Sequence, residues 1–316
     1  MNTAGDRVGR RMSRRSVLAT TGTVAGLGFA GCLGSTATSV RVLAAGSLAR
    51  TFEDHVGPEF REETGIELRG EYYGANAVMR MVEDRTKHPD VVVSADATLL
   101  RDRLYGEFTD WDVAFATNSI GIGYTEQSTF GRRLEDGEPW YDLARGTDEG
   151  DLAIGDPNLD PLGYRAVQAF DLAAKEYGLD GFREDMLAVV YEEPDEPQLM
   201  VGVESGSRAG AIVYRNMAVD HGVPFLEFPD AYNFAAPELA DHYATVEFTT
   251  DEEGYTAEGR PIVYNATVTD DADEPDAGHQ FVQFLADRPD LLEEAGLTVG
   301  SNVPIPNGAV PEAVDV

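Results

Sequence analysis

From Val40 onward the apolar positions switch between a strand-like period of two and a helical period. Val40-Arg-Val-Leu-Ala-Ala45 is a short apolar run ending at Gly46-Ser47, after which Leu48, Phe52, Val56 and Phe60 recur at helical spacing. Residues 66–72 alternate as a strand does, Asn76 to Glu83 reads as a helix, and Val91-Val-Val-Ser-Ala95 reads as a buried strand. This order predicts a mostly parallel sheet covered by helices on both faces. Further helices are predicted over Pro161–Tyr177, Pro197–Ser205, Ala277–Ala286 and Pro289–Ala295, with a strand at Ala211–Tyr214. Val113–Tyr124 and Pro261–Val268 are extended stretches that can cross between lobes. The expectation is an α/β chain of two lobes, lobe I from 40–116 and 266–316 and lobe II from 117–265, hinged around a cleft.

The first 32 residues follow another logic. Arg7, Arg10, Arg11, Arg14 and Arg15 precede a Gly/Ala/Leu-rich stretch that ends near Ala30, too short for a stable membrane span. Ser13-Arg-Arg-Ser-Val-Leu18 looks like a twin-arginine export signal, and Phe29-Ala-Gly-Cys32 resembles a lipobox with Cys32 as the lipidated residue. Cys32 is the one cysteine, which excludes an intramolecular disulfide and a CxxC metal site. Gly26-Leu-Gly-Phe-Ala-Gly31 matches GxGxxG, but no strand–turn–helix unit can be built around it. Residues 33–39 read as a polar tether between lipid and domain. The expected location is the outer face of the cell membrane, held by the lipid alone.

Composition narrows the partners. Lys and Arg number 24 against 57 Asp and Glu, a net charge of -33. Loss of residues 1–31, with five arginines and one aspartate, would leave about -37. Such a surface repels nucleic acid and acidic lipid. Its acids are spread among ordinary apolar runs, as in proteins of salt-accumulating halophiles, where molar salt screens self-repulsion. Acidic loops such as 270–276 fail the calcium-loop spacing.

Three stretches place a helix start at a candidate cavity. Ala45-Gly-Ser-Leu48 offers a close backbone approach at Gly46 and a capping hydroxyl at Ser47. Asp156-Pro-Asn-Leu-Asp-Pro161 places Pro161 at a first helical position, with Asp160 as N-cap. Asp195-Glu-Pro197 repeats the device with Glu196 before Pro197. On spacing alone each acid is equally a simple capping carboxylate.

Together these stretches resemble the archaeal tungstate/molybdate-binding proteins of ABC importers, a two-lobed, periplasmic-binding-protein-like class. The resemblance extends over about residues 40–305. It rests most specifically on Asp156-Pro-Asn-Leu-Asp-Pro161 followed by Gly163-Tyr-Arg165, with Ala45–Leu48, Gly74 and Arg80, Ser94-Ala-Asp96, Phe115–Asn118, Glu204-Ser-Gly206, Tyr214-Arg215 and Pro261–Tyr264 in support. It implies that Asp160 and Glu196 add oxygens to the metal of a tetrahedral oxyanion and make it octahedral. It also implies polar contacts from Ser47, backbone at Leu48, the Gly74-Ala75 turn, backbone at Pro161 and Leu162, and Tyr214. Its other implications are a permease partner, a monomer and no cofactor beyond the oxyanion ligand. Ala75 and Leu162 depart from a Ser and a Cys common in the family, Ser207-Arg-Ala-Gly210 interrupts an acidic Gly-Glu-x-Asp-Tyr pattern, and Asn216 stands where Ser is common.

Two carboxylates beside a dianion cost several kcal/mol unless the centre accepts further oxygen donors, which sulfur and phosphorus do not. The opposing positive potential is expected from helix N-termini and oriented N–H groups rather than from Lys or Arg. Competing readings are a binder of sulfate, phosphate or ferric ion, the last kept open by Tyr72-Tyr73, and an exported hydrolase. The five histidines show no HExxH spacing and no GxSxG elbow occurs, so an enzyme is not expected.

Overall fold

The computed structural model describes residues 38–316 except 252 and 253. The export signal, Cys32 and most of the expected tether lie outside the described residues. Ser39, the tether's expected last residue, already opens the first strand.

In chain order the strands are β1 (Ser39–Ala45), β2 (Glu67–Tyr73), β3 (Val91–Ser94), β4 (Trp111–Thr117), β5 (Ile120–Tyr124), β6 (Leu152–Gly155), β7 (Tyr191–Glu193), β8 (Gly210–Tyr214), β9 (Phe225–Glu227), β10 (Glu247–Thr249), β11 (Thr256–Glu258), β12 (Val263–Val268) and β13 (Ile305–Gly308). They form a six-stranded sheet in the order β13-β4-β12-β3-β1-β2 and a five-stranded sheet in the order β7-β6-β8-β5-β9, with β10-β11 a separate hairpin. The chain passes from the first sheet to the second at Asn118-Ser119 and returns at β12. The fold is thus α/β with two sheet-containing lobes.

Neither sheet is mostly parallel. In the first, β1 pairs in parallel with β2 and β3, but β12 runs antiparallel to β3 and β4, and β13 antiparallel to β4. In the second, β6 is parallel to β7 and β8, while β5 is antiparallel to β8 and β9. The crossings account for β5 and β12, because a strand arriving from the other lobe carries no βαβ connection to fix its direction, whereas β13 is added antiparallel at the sheet edge from within the first lobe.

Each lobe has its own aromatic core. Phe52, Phe60, Phe281 and Phe284 meet edge to face and join the helix Pro275–Asp287 to the helical segment 51–64. Trp140 packs on Phe182, Phe228 and Tyr232 in the second. The predicted stripe Leu48, Phe52, Val56 and Phe60 is buried, but its backbone is not one α-helix. Gly46–Leu48 is a 3-10 turn, Thr51–Val56 is π-helical, and the α-helix begins at Gly57.

Candidate functional site

The site is built where the C-terminal ends of β1, β6 and β8 and the starts of two helices converge. The helix Pro161–Tyr177 starts as the sequence predicts. Asp160 is extended at φ -145°, its Oδ1 accepts from the Gly163 amide at 2.7 Å, and Pro161 fills the first turn without needing a donor partner. This leaves Asp160 Oδ2 buried with no hydrogen-bond partner. Pro161 has no N–H, so the expected backbone contact there cannot be a donated hydrogen bond. The Leu162 and Gly163 amides both pull on Asp160's own carboxyl.

Glu196 is not the expected cap. The next helix runs Gln198–Glu204 with Pro197 as its N-cap residue, already at φ -59° and ψ -25°, and no side chain caps it. The Glu196 side chain instead projects across the cleft to Gly46, where a Cβ would stand 2.8 Å from its Oε2. The Gly46 and Ser47 amides favour its charged form, yet neither carboxylate oxygen has a partner at hydrogen-bond geometry. Asp160 makes the same approach at Gly74, where a Cβ would meet the Leu159 carbonyl and, at 2.6 Å, the Asp160 Cβ. Glycine at 46 and 74 is therefore what lets the second lobe bring both acids against the first.

Both acids are 1% exposed. Burial pushes Asp160 up to about 7, partly opposed by the Gly163 amide. Glu196 is pushed well above the ordinary carboxylate range, by burial first and by the neighbouring charge of Asp160 second. Three orphaned carboxylate oxygens in one buried cluster run against the rule that buried polar atoms are paired.

A shell of neutral donors and one cation surrounds them. Ser47 is not an N-cap; Ala45 holds that place, and Ser47 Oγ lies 3.1 Å from Tyr264 Oη. Leu48 is buried in the same 3-10 turn. Ala75 opens the helix Ala75–Glu83 behind Gly74, and the Ala77 amide donates to the Leu159 carbonyl at 3.2 Å, aiming that helix start at the Asp156–Asp160 loop. Tyr214, at the end of β8, is fully buried, and its hydroxyl accepts from Arg165 Nη1 at 2.6 Å. Arg165 also donates to Ala95 O at 3.1 Å and to Asp96 Oδ2 at 2.9 Å, so a buried ion pair ties the two lobes. Positive charge at the site thus comes partly from an arginine, against the expectation from sequence. Its field lowers the pKa of both Asp160 and Glu196. Among the described residues, no cluster of three or more His, Cys, Asp or Glu could hold a bare metal ion.

Residues 40–298 match the model of the bacterial extracellular solute-binding proteins. The chain belongs to that family. This solute-binding protein is 48% identical over 304 residues to a solute-binding protein of Halobacterium salinarum, covering 96% of this chain and 98% of the relative. It is 31% identical over 330 residues to a molybdate/tungstate-binding protein of Thermococcus kodakarensis, covering 90% and 91%. Its fold is similar to that of the periplasmic molybdate-binding protein of Azotobacter vinelandii, with a TM-score of 0.59, 15% identity and coverage of 84% of this chain and all of that one.

The fold brings Ser47, Gly74, Asp160, Glu196 and Tyr214 together where the two lobes meet, with Leu48, Ala75, Pro161 and Leu162 as their chain neighbours. Sequence reasoning gave Arg165, Asp96, Asn118, Tyr264 and Asn216 no role at the site, although the first four lie in the motifs that carry the resemblance and Asn216 is one of the departures from it. Asn118 and Tyr264 also sit on the two predicted crossings.

Proposed function

We propose that this solute-binding protein captures molybdate or tungstate outside the cell and delivers it to an ABC importer. The carrying observation is the pair Asp160 and Glu196, buried together with three unpartnered oxygens inside a shell of donors. Two such acids repel a dianion unless its centre accepts their oxygens, and molybdenum and tungsten have that capacity whereas sulfur and phosphorus do not. The name of the Thermococcus relative supports the same ligand. Arg165 and the amides at Gly46 and Ser47 offset part of the local negative charge.

The family supports export in general terms. In our reading the export is by a twin-arginine signal, Cys32 carries a lipid, and the acidic surface is suited to molar salt. The protein acts as a monomeric binder without enzymatic activity. Elemental analysis of protein purified from its own cells, with a ligand titration followed by thermal unfolding in molar salt, tests the ligand. Molybdenum or tungsten near one per chain and a melting point that rises with either anion are expected. A saturating titration without a shift overturns the reading.

A further inference from the structure

The Gly46–Leu48 turn is met at both of its ends by the second lobe. Its amide end faces Glu196, whose Oε2 would lie 2.8 Å from a Cβ on Gly46. Its carbonyl end meets Asn216, the second residue of the helix Arg215–His221 that follows Tyr214, and Asn216 Nδ2 donates to Ser47 O at 2.7 Å. A carbonyl can only accept, so this contact turns the nitrogen of the Asn216 amide toward the turn. The second proton on that nitrogen is directed at Thr51 Oγ1, 3.3 Å away, where the π-helical segment begins. Asn216 Oδ1 accepts from Asn118 Nδ2 at 2.8 Å, and Asn118 is itself oriented by the Ser119 N–H, which donates to its Oδ1 at 2.9 Å. One amide thus holds the turn, the segment after it and the crossing between the two sheets, with both protons and the oxygen engaged. Asn216 and Thr51 are fully buried, and Asn118 and Ser47 nearly so.

We propose that Asn216 is a positioning residue of the anion site: from the second lobe it grips the carbonyl end of the Gly46–Leu48 turn and so aims the turn's amide end at the ligand. In a helical turn the N–H groups and the carbonyls point in opposite directions along one axis, so a hold on the Ser47 carbonyl sets where the Gly46 and Ser47 amides point. Asn216 and Ser47 belong to different lobes, so the hold exists only with the lobes in contact. Opening the cleft hands both groups to water, and the bond therefore favours the closed form and slows its opening. The proposal rests on the oxyanion reading of the site. Arg215, the residue before Asn216, provides the contrast. Its Nη1 donates to Gly296 O at 2.6 Å, which also joins the lobes, but that partner lies outside the turn.

Stopped-flow rates of molybdate binding and release in molar salt test this, with the unliganded melting point as the measure of folding. Asn216→Ala removes the hold. Asn216→Asp keeps an oxygen for Asn118 Nδ2 but sets a second acceptor against the Ser47 carbonyl. Both should release molybdate at least about tenfold faster, with association within about threefold of native, because the ligand enters the open form. Arg215→Met should change release by less than about threefold. The unliganded melting points should stay close to native, since an open cleft hydrates the groups left unpaired. A melting point lowered in both Asn216 variants with release unchanged would make Asn216 a part of the fold alone and overturn the proposal. Release as fast in Arg215→Met as in Asn216→Ala would overturn it too, by reducing Asn216 to one interlobe contact among several. A native chain that binds no molybdate overturns the oxyanion reading, and this proposal with it. A native chain that binds, beside Asn216 variants that release at its rate, overturns this proposal alone.

Discussion

Gly46 in the first lobe and Glu196 in the second compete for one space: a Cβ on Gly46 would lie 2.8 Å from Glu196 Oε2 and 2.9 Å from Pro197 Cδ. The carboxylate could swing aside, but the proline ring cannot, so the contact between the lobes depends on a missing methyl group. Gly46→Ala should leave each lobe folded and hold them apart. Ligand affinity should fall by about tenfold or more, close to 1.4 kcal/mol, with little change in the unliganded melting point. Small-angle scattering should then show a ligand-bound particle less compact than the native one. Undiminished affinity would mean that the cleft need not close to this degree.

The acid pair predicts an unusual division between stability and affinity. Asp160→Asn keeps an oxygen for the Gly163 amide and so keeps the cap, whereas Asp160→Ala should cost about 1 kcal/mol of stability. Glu196 caps nothing, and Glu196→Gln removes a buried carboxyl without partners, so unliganded stability should hold or rise. X-ray absorption on the native complex should give six oxygen neighbours around the metal. Each conservative variant should lose affinity for molybdate. Four neighbours, with affinity unchanged in both variants, would reduce the pair to structural acids.

Proton linkage gives an independent measure of the pair. Asp160 titrates at about 7 in the fold because burial disfavours its charge, well above an ordinary aspartate. Between these values the folded chain holds a proton that the unfolded chain has released. The Asp160 contribution to stability is therefore fully present below about pH 4 and lost as pH rises through about 7. Glu196 shifts in the same direction. Denaturant unfolding of the ligand-free protein at pH 5 and pH 8 should show this decline, and Asp160→Asn should flatten it. Coordination needs the ionised acids, so molybdate binding near pH 6 should release protons, which calorimetry in buffers of different ionisation enthalpy reads directly.

Local signals in the sequence carried some elements well and others badly. The helix Pro161–Tyr177 is predicted to the residue because each end is marked by the residues beside it, Asp160-Pro161 at the start and a left-handed Gly178 directly after Tyr177. The turns after Gly46 were legible only as a buried stripe. Their 3-10 and π character accompanies contacts with the other lobe, such as Thr51 Oγ1 to Asp220 Oδ2 at 2.6 Å, which no local pattern encodes. Glu196 looked like a cap because its neighbour is proline, and its function as a cleft residue depends on Gly46, 150 positions earlier. Strand directions failed for a similar reason: the orientation of β12 follows from the path of the whole second lobe. The three-residue strands β7, β9, β10 and β11 are too short to leave a period.

Arg165 and Asp96 supply the last test. Asp96 Oδ1 caps the helix Ala97–Leu104 through the Thr98 and Leu99 amides, while Oδ2 accepts from Arg165 and, at 2.8 Å, from the Tyr164 hydroxyl. Asp96→Asn preserves the cap but turns an amide group toward a buried guanidinium. In a rigid interior, breaking such a pair costs about 3–5 kcal/mol. Here the partners sit on different lobes, so opening the cleft hydrates Arg165 and avoids most of that cost. The loss should consequently appear in ligand affinity and in the compactness of the particle rather than in the unliganded melting point. Arg165→Met alone also unpairs Asp96 and leaves Tyr214 without its donor. In the double variant with Asp96→Asn the two losses should be less than additive, because they break one contact. A melting point that falls steeply in Asp96→Asn while affinity for molybdate is unchanged would make the pair a fixed part of the fold rather than a link that closure forms.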